Sequence, residues 1–300
     1  MEYRMLGKTG EKVSAIGLGG AHIVRASSPS ETLRIVRTAI DAGITFMDNC
    51  WDYALGEAEI QMGHALRDGY RQRVFLMTKI DGHYANAAAK QIDQCLIRLQ
   101  TDVIDLIQIH EVIRPTDPER AIAAGGSLEA LVAARQAGKI RFIGFTGHKD
   151  PAIHLKMIDQ PFAWDTVQMP LNCLDVHHNS FEKTVLPVLV KRGIGVLGMK
   201  PLAAGAAVRE GVATAEECLR YAMSLPTSVV ITGCDSLARV EQAIQVWKNF
   251  KPMAEAEMIA LRNRTAPRNE RAILEGYKST GNFDGTVKNP HWLTTASVTA

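Results

Sequence analysis

Four polar side chains, each near the predicted end of an apolar run, are the residues of this sequence most able to do chemistry together. They are Asp48, Tyr53, Lys79 and His110. An isolated tyrosine has a pKa near ~10 and is a reluctant proton donor at neutral pH. A neighbouring ammonium group stabilises the phenolate and lowers that pKa. We therefore expect Lys79 to lower the pKa of Tyr53, and Asp48 to keep Lys79 charged and in place.

The chemistry that this group would perform is proton transfer coupled to hydride transfer. Tyr53 would protonate an oxygen while a hydride reaches the attached carbon, and the reverse reaction would oxidise an alcohol. His110 would hydrogen-bond or position the same oxygen. Taken singly, each residue also fits a structural role, as a helix cap, a packed tyrosine, a solvated lysine or a core histidine. Their order, their strand placement and the spacing from Asp48 to Tyr53 favour the catalytic interpretation.

Eight short apolar runs, separated mostly by segments of helical period, supply the elements that must position these residues. The runs begin near Ala15, Thr45, Val74, Val103, Phe142, Thr166, Gly195 and Val229. This alternation predicts an α/β fold, a (β/α)8 TIM barrel with an N-terminal β-hairpin and an extra helix after strand 8. Active sites of such barrels lie at the C-terminal ends of the strands, where the four candidates fall.

Start signals along the chain agree with the predicted helices. The predicted first residues or N-caps are Ser28, Ser127, Thr214 and Ser236. Glutamates follow two of these residues at the capping-box spacing. We predict a single barrel domain over residues 1–300, with the hairpin in residues 1–14 and a tail in residues 266–300 that contains no predicted element.

Composition and charge exclude several other classes of protein. The chain is 46% hydrophobic and 22% charged, and its formal net charge of +2 gives no electrostatic footprint for nucleic acid. Its longest apolar runs fall far short of the ~20 residues that cross a bilayer. The charged N-terminal segment lacks the features of a secretory signal. We therefore expect a cytoplasmic protein with no nucleic-acid or membrane partner.

Several stretches of the sequence resemble the aldo-keto reductase family. They are MEYRMLGKTGEKVSAIGLGG, FMDNCWDYALGEAEIQMGHAL, VFLMTKI, RLQTDVIDLIQIH, GKIRFIGFTGH, GMKPLAAG and ITGCDSLARVEQAI. The resemblance extends from the N-terminal hairpin to Trp247, and the family's catalytic tetrad falls on the four candidates without substitution. It implies an NADPH-dependent oxidoreductase in which Tyr53 is the general acid. The implied substrate is a small-molecule carbonyl compound, an aldehyde or ketone that is reduced to an alcohol.

The cofactor would be held by barrel loops, because no G-x-G-x-x-G follows the first strand and a Rossmann site is disfavoured. The loops after strands seven and eight can bind phosphate groups in such barrels. The resemblance places the nicotinamide contacts at Thr146 and Gln168, and a phosphate contact at Arg239. The predicted cofactor-binding residues are Gly20, Thr146, Gln168, Met199, Lys200, Pro201, Leu202, Gly233, Ser236, Arg239 and Gln242.

Two departures from the family pattern bear on the cofactor. Met199 replaces the aromatic residue that stacks on the nicotinamide, so a thioether contact is expected instead. Gly233 stands where some members carry a second cation for the 2′-phosphate, and Asp235 adds a negative charge nearby. Arg239 nevertheless favours NADPH, with NADH as the alternative.

The substrate pocket is less determined than the tetrad. The residues expected to line it are Trp51, His83, Tyr84, Glu111 and residues of the tail. Glu111 stands where many family members have tryptophan, so a common aromatic wall is missing.

Two further possibilities concern metals and the class of protein. A metal site could draw on Cys50, His110, Cys173, His177 and His178. Their spacing matches no ligand motif, and no metal site is predicted. A second hypothesis for the function stays open beside the reductase. It is a cofactor-binding regulatory or redox-sensing subunit with little catalysis, similar to the potassium-channel β subunits of the same family.

Overall fold

The structure, a computed structural model, describes residues 1–294. An antiparallel hairpin, β1 (Tyr3–Met5) and β2 (Lys12–Ser14), precedes eight parallel strands that close into a barrel. The barrel strands are β3 (Ile16–Gly19), β4 (Phe46–Asp48), β5 (Phe75–Ile80), β6 (Ile104–Ile109), β7 (Ile140–Thr146), β8 (Thr166–Pro170), β9 (Gly195–Met199) and β10 (Val229–Gly233). They follow chain order, and β10 pairs with β3. The predicted hairpin and (β/α)8 barrel are confirmed.

Helices connect the successive strands. The longer ones are Pro29–Asp41, Glu57–Ala65, Ala85–Leu99, Ser127–Gln136, Pro151–Ile158, Leu186–Arg192, Ala215–Ser224, Leu237–Lys248 and Glu255–Thr265. The shorter ones are Gly20–Ile23, Asp117–Ile122, Phe181–Thr184, Ala206–Arg209, Gly276–Ser279 and Gly285–Lys288. Two long helices, Leu237–Lys248 and Glu255–Thr265, follow β10, where the sequence predicts an extra helix. Within residues 1–294, no helix is long and apolar enough to span a membrane.

The predicted helix starts are largely confirmed. The Ser28 side chain accepts a hydrogen bond from the third residue of its helix, and Thr214 forms a complete capping box. Ser127 is the first residue of its helix, and Gly126 occupies the N-cap. Ser236 occupies the N-cap of the helix after β10, but its side chain makes no capping hydrogen bond.

Aromatic side chains fill the inside of the barrel, and the hairpin closes its N-terminal end. Phe75 stacks between Phe46 and Phe142, with ring centroids 5.4 and 6.0 Å away. Leu6 from the hairpin is fully buried in the same cluster. At Gly7 the backbone has a φ of +55°, and a Cβ atom there would lie 2.3 Å from the nitrogen of Gly195. The hairpin therefore seals the N-terminal end and leaves the opposite rim for the site.

The tail is more ordered than predicted. Besides two short helices, it contains the 3-10 turns Ala266–Arg268, Glu270–Ala272 and Pro290–Leu293. The prediction of no element was wrong, because turns of three or four residues carry no periodic pattern that a sequence window detects. The rest of the tail, residues 295–300, lies outside the described residues.

A buried ionic cluster anchors this tail to the barrel rim. Lys278 Nζ donates to Asp175 Oδ1 at 2.8 Å and to Glu275 Oε2 at 3.1 Å. Tyr277 OH donates to Glu275 Oε1 at 2.6 Å and accepts from Asn172 Nδ2 at 2.9 Å. Desolvation raises the pKa of Asp175, which shows how much the carboxylate needs its cation.

The cluster predicts a large effect of removing its cation. Lys278→Met is expected to lower the free energy of unfolding by about 3–5 kcal/mol, because two buried carboxylates lose their partner. Urea denaturation at pH 7 measures the difference. The exposed Lys90 offers a matched control, since Lys90→Met should change stability by no more than about 0.5 kcal/mol. A loss below about 1 kcal/mol for Lys278→Met would contradict the anchoring role.

Candidate active site

Parallel register brings the ends of β4, β5 and β6 to one rim. Asp48 pairs with Met77, two residues before Lys79, and Lys79 in turn pairs with Gln108. His110 follows β6 directly. The three strand-end candidates therefore meet at the C-terminal end of the barrel, as predicted.

Lys79 is the centre of this group. Its ammonium group forms an ion pair with the Asp48 carboxylate and donates to the carbonyl oxygen of Asn49 at 2.7 Å. It also lies 3.3 Å from the hydroxyl of Tyr53. The Lys79 side chain is 1% exposed and that of Asp48 is 5% exposed. The ammonium group is thus held by fixed acceptors, with the tyrosine hydroxyl as its remaining neighbour.

A tight turn presents Tyr53 to this lysine. The residues after it, Ala54, Leu55 and Gly56, all have positive φ values of 52°, 57° and 95°. Two non-glycine residues in the left-handed region are unusual, and such conformations cluster at functional sites. Leu55 is 88% exposed, so packing of its side chain does not explain the conformation.

The pKa of Tyr53 is raised in the structure, whereas the sequence predicts that Lys79 lowers it. Desolvation raises the pKa well above its ordinary value, and the charge of Asp48 raises it further. The expected lowering of this pKa by Lys79 was wrong, because desolvation outweighs the effect of a cation that is already paired with Asp48. Tyr53 is therefore firmly protonated before any reaction.

His110 has a partner that the sequence did not reveal. Its Nδ1 atom lies 2.6 Å from Asp81 Oδ1, and the thiol of Cys50 lies 3.3 Å from the same nitrogen. The His110 ring is nearly perpendicular to the Tyr53 ring, with centroids 6.1 Å apart. Asp81 follows Lys79 by two residues and thus shares its strand end. This spacing of two residues between Lys79 and Asp81 is the sequence feature from which the proximity of Asp81 to the site could have been predicted.

Potential metal ligands also gather here, although not in the combination considered from the sequence. Within residues 1–294, the one group with ligand atoms within 4.8 Å of one another is Cys50, Asp81 and His110. Cys173 and His178 do not join it, and His177 Nε2 instead lies 3.1 Å from Thr265 Oγ1.

A cavity of about 1020 Å³ opens above the tetrad and extends to the helix after β10. The predicted site residues that line it are Asp48, Tyr53, His110, Gln168, Met199, Lys200, Pro201, Leu202, Gly233, Arg239 and Gln242. Four others, Gly20, Lys79, Thr146 and Ser236, are not part of its lining. The lining runs from Asp48 and Tyr53 to Arg239 and Gln242, and a cavity of this volume suits a large ligand.

Gln168 has an unused acceptor at the inner end of the cavity. Its Nε2 atom donates to Asp48 Oδ2 at 3.0 Å, while its buried Oε1 atom has no hydrogen-bond partner within residues 1–294. Thr146 pairs with Gln168 across β7 and β8, and its hydroxyl lies 4.0 Å from Met199 Sδ. An unsatisfied buried acceptor costs about 1–3 kcal/mol. A ligand amide would satisfy it.

Lys200 is a cation without a carboxylate partner among the described residues. Its Nζ atom lies 3.5 Å from Met199 Sδ and 5.3 Å from the centre of the Tyr277 ring. Desolvation lowers its pKa to about 8, and the charge of Lys79 adds to this effect. An anionic ligand group in the cavity would restore the ordinary pKa of Lys200.

At the outer end of the cavity, Arg239 forms an ion pair with Asp235, so its guanidinium already has an anionic partner. Arg239 Nη1 lies 2.6 Å from Asp235 Oδ2, and the arginine side chain is 62% exposed. A Cβ atom at position 233 would lie 2.1 Å from Nδ1 of His22, so the close approach of His22 requires glycine there. Ser236, whose side chain makes no capping hydrogen bond, is the N-cap of the helix that carries Arg239.

The tail covers the opposite side of the cavity through Glu111. Its carboxylate accepts hydrogen bonds from the backbone nitrogens of Gly285 at 2.6 Å and Thr286 at 2.7 Å. Desolvation would raise the pKa of Glu111, but His110 and these hydrogen bonds hold it below its ordinary value. The tail residues in the cavity wall are Asn282, Phe283, Gly285, Lys288 and Asn289.

The expected lining of the substrate pocket is only partly correct. Glu111 and the tail do line the cavity, whereas Trp51, His83 and Tyr84 do not. Trp51 packs against the tail instead, with its ring 5.2 Å from that of Trp292, and donates to Gln94 Oε1 at 2.7 Å.

The link through Glu111 can be tested by amide hydrogen exchange. In Glu111→Gln the charge-assisted bonds become neutral, and such charged bonds contribute about 1.5–3 kcal/mol. We therefore expect the amides of Gly285 and Thr286 to exchange about 10-fold or more faster than in the wild type. The exposed Glu241 supplies the control, Glu241→Gln, which should leave both rates unchanged. Equal protection in Glu111→Gln and the wild type would contradict the link.

Known proteins agree with this architecture. The model of the aldo/keto reductase family matches residues 15–210. L-galactose dehydrogenase from Arabidopsis thaliana is 27% identical over 326 residues, which cover 93% of this chain and 96% of the relative. L-glyceraldehyde 3-phosphate reductase from Escherichia coli O157:H7 is 29% identical over 226 residues, which cover 68% of this chain and 62% of the relative.

A solved structure supports the fold in the same way. Aldo-keto reductase AKR11C1 from Bacillus halodurans, in its holo form, superposes with a TM-score of 0.74 at 22% identity, over 88% of this chain and 96% of that one. The family match covers more than half of the sequence and includes all four candidate residues, Asp48, Tyr53, Lys79 and His110. The chain therefore belongs to the aldo/keto reductase family of oxidoreductases that act on carbonyl substrates.

Proposed function

We propose that this protein reduces an aldehyde or ketone to an alcohol, with NADPH as the favoured cofactor and Tyr53 as the general acid. The observation that carries the proposal is the position of Lys79. Its ammonium group lies between the Asp48 carboxylate and the Tyr53 hydroxyl, beneath a cavity of about 1020 Å³. A buried lysine and carboxylate next to a half-buried phenol suit proton transfer better than any structural role.

The residues around the cavity fit a nicotinamide cofactor. The unpaired Oε1 atom of Gln168 suits the carboxamide, with Thr146 and Met199 beside it. When bound, the reduced nicotinamide supplies a hydride to the carbonyl carbon. Lys200, together with Pro201 and Leu202, would hold phosphate groups. The further candidates at the adenine end are Gly233, Ser236, Arg239 and Gln242.

The proton chemistry follows from the charges around Tyr53. Its high pKa keeps the hydroxyl protonated in the resting site. During reduction the carbonyl π electrons move to the oxygen, which takes the hydroxyl proton and leaves a phenolate. Lys79, 3.3 Å away, can compensate this charge at the moment it forms, and Asp48 holds Lys79 in place. Lys79 thus contributes by stabilising the product of proton transfer.

The cavity wall suggests a polar substrate. Asp52, Asn282, Lys288 and Asn289 all line the cavity near the tail. Two relatives are named for L-galactose and L-glyceraldehyde 3-phosphate. Hydroxylated aldehydes and sugars are therefore the first compounds to test. A panel of these and of simple activated aldehydes, run with both cofactors, would identify the substrate class.

The role of Tyr53 predicts a selective loss of turnover. Tyr53→Phe should lower kcat by about 10²–10⁴-fold, since a general acid typically contributes that much. Cofactor affinity, measured by fluorescence titration, should stay within about threefold of the wild type. Tyr70→Phe is the control, because Tyr70 is half-buried outside the cavity lining and its hydroxyl donates to Asp41 Oδ2 at 3.1 Å.

Two results would contradict this mechanism. Unchanged turnover in Tyr53→Phe would remove Tyr53 as the acid. Tight cofactor binding by the wild type without turnover on any carbonyl compound would instead favour the regulatory or redox-sensing subunit.

The preference for NADPH is expected to depend on Arg239. Arg239→Ala should weaken NADPH binding about 10-fold and NADH binding much less, because only NADPH offers a 2′-phosphate to the guanidinium. Asp235→Asn should tighten NADPH binding, since it releases the arginine from its ion pair. Isothermal titration with both cofactors measures these changes. Equal losses for NADPH and NADH in Arg239→Ala would show that Arg239 does not recognise the 2′-phosphate.

A further inference from the structure

Asp81 is a buried carboxylate in an unusual position. Its side chain is fully buried and makes no ion pair with a lysine or arginine among residues 1–294. Oδ1 lies 2.6 Å from His110 Nδ1, and Oδ2 accepts from the Cys50 thiol at 3.5 Å. A buried carboxylate without a cation is strongly destabilising. The imidazole of His110 is the one group in direct contact that can supply the positive charge.

The contact restricts the protonation state of His110. A carboxylate accepts hydrogen bonds, so Nδ1 must carry a hydrogen. Neutral imidazole has a single N–H group. A neutral His110 that donates to Asp81 would therefore present a bare Nε2 atom to the cavity that His110 lines. Bare Nε2 would repel a carbonyl oxygen, whereas the imidazolium can donate to Asp81 and into the cavity at once.

We propose that Asp81 is a positioning residue that keeps His110 doubly protonated, so that Nε2–H donates a hydrogen bond to the substrate carbonyl oxygen. The proposal rests on the reductase function proposed above. Asp81 acts through His110 and does not touch the substrate, while Tyr53 remains the proton donor. Its effect is to provide a second fixed donor for the oxygen on which negative charge develops.

The other groups around His110 agree with this assignment. They are Cys50, Asp52 and Tyr53 in the loop after β4, Lys79 at the end of β5, Glu111 beside His110, and His83, whose Nε2 atom lies 2.9 Å from the His110 carbonyl oxygen. Desolvation lowers the pKa of His110, but Asp81 and Glu111 outweigh it, and the pKa lies above its ordinary value of 6.5. Glu111 is occupied by the tail amides, which leaves Asp81 as the carboxylate in contact with the ring.

The sign of the pH dependence follows. A group with a raised pKa holds its proton below that pKa and loses it as the pH rises through it. The Nε2–H donor of the imidazolium is therefore present below the raised pKa of His110 and is lost as the pH rises through it. Asp81→Asn removes the negative charge, so the imidazolium of His110 should lose its proton at a lower pH than in the wild type.

The direct test is a pH titration of ¹⁵N-histidine-labelled protein by NMR, with His110→Gln to assign the resonance. In the wild type we expect both ring nitrogens of His110 to be protonated at pH 6.5, with a midpoint above 6.5. Asp81→Asn should lower the midpoint by at least about one unit. Asp52→Asn is the matched control, since Asp52 lies near His110 without bonding to its ring, and it should shift the midpoint by less than half as much. A neutral His110 at pH 6.5 in the wild type, or equal midpoints in the wild type and Asp81→Asn, would overturn the proposal.

The pH dependence of kcat/KM distinguishes a positioning role of Asp81 from a purely structural one. At a pH between the His110 midpoints that NMR gives for the wild type and for Asp81→Asn, the kcat/KM of Asp81→Asn for the best carbonyl substrate should be roughly 10–100-fold below the wild type, as expected for losing one donor to the oxygen. Below both midpoints the two should agree within about threefold. Cys50→Ala, which leaves the Asp81 contact in place, should keep the alkaline limb of the wild type. A uniform loss at every pH in Asp81→Asn would indicate damage to the fold and contradict the proposal. The NMR titration needs no turnover, so it distinguishes this failure from failure of the proposed reductase function.

Discussion

The buried ion pair between Lys79 and Asp48 is the interaction on which the site depends. A lysine that is 1% exposed is tolerated only because the carboxylate and a backbone carbonyl accept its hydrogens. Asp48 is held in turn by Gln168 Nε2, so one charge pair connects β4, β5 and β8 across the barrel mouth. Desolvation and the charge of Asp48 keep the nearby phenol of Tyr53 protonated. In the proposed mechanism, Lys79 would stabilise the phenolate as it forms.

Three buried carboxylates at this rim are each stabilised by a different kind of donor. Asp48 is paired with an ammonium group, Asp81 contacts an imidazole, and Glu111 binds backbone amides of the tail. A formal net charge of +2 for the whole chain conceals this local concentration of negative groups. Each carboxylate fixes a separate part of the site: the lysine, the histidine and the cavity wall. Glu111 thus gives the cavity wall a polar attachment point for the tail.

Much of this arrangement was predictable, and the parts that were not have physical causes. Apolar runs and helix caps predict the barrel, and strand ends predict where Asp48, Lys79 and His110 meet, because parallel strands share one rim. The contact between Asp81 and His110 depends on side-chain orientation, which residue spacing does not specify. The attachment of Glu111 to Gly285 joins residues far apart in the chain, and the tail's short turns carry no periodic signal. The direction of the Tyr53 pKa depends on a competition between desolvation and paired charges that only three-dimensional distances resolve.

Completion of the cavity by the tail has a consequence for biosynthesis. Domains generally begin to fold from their N-terminal side as the chain leaves the ribosome. All eight barrel strands and the four tetrad residues precede residue 234, whereas part of the cavity wall is supplied by residues 282–289. A nascent chain can therefore assemble the reactive group well before it can enclose a ligand. The cavity wall is completed only after residues 282–289 have been synthesised, when the ionic cluster around Lys278 attaches the tail to the rim.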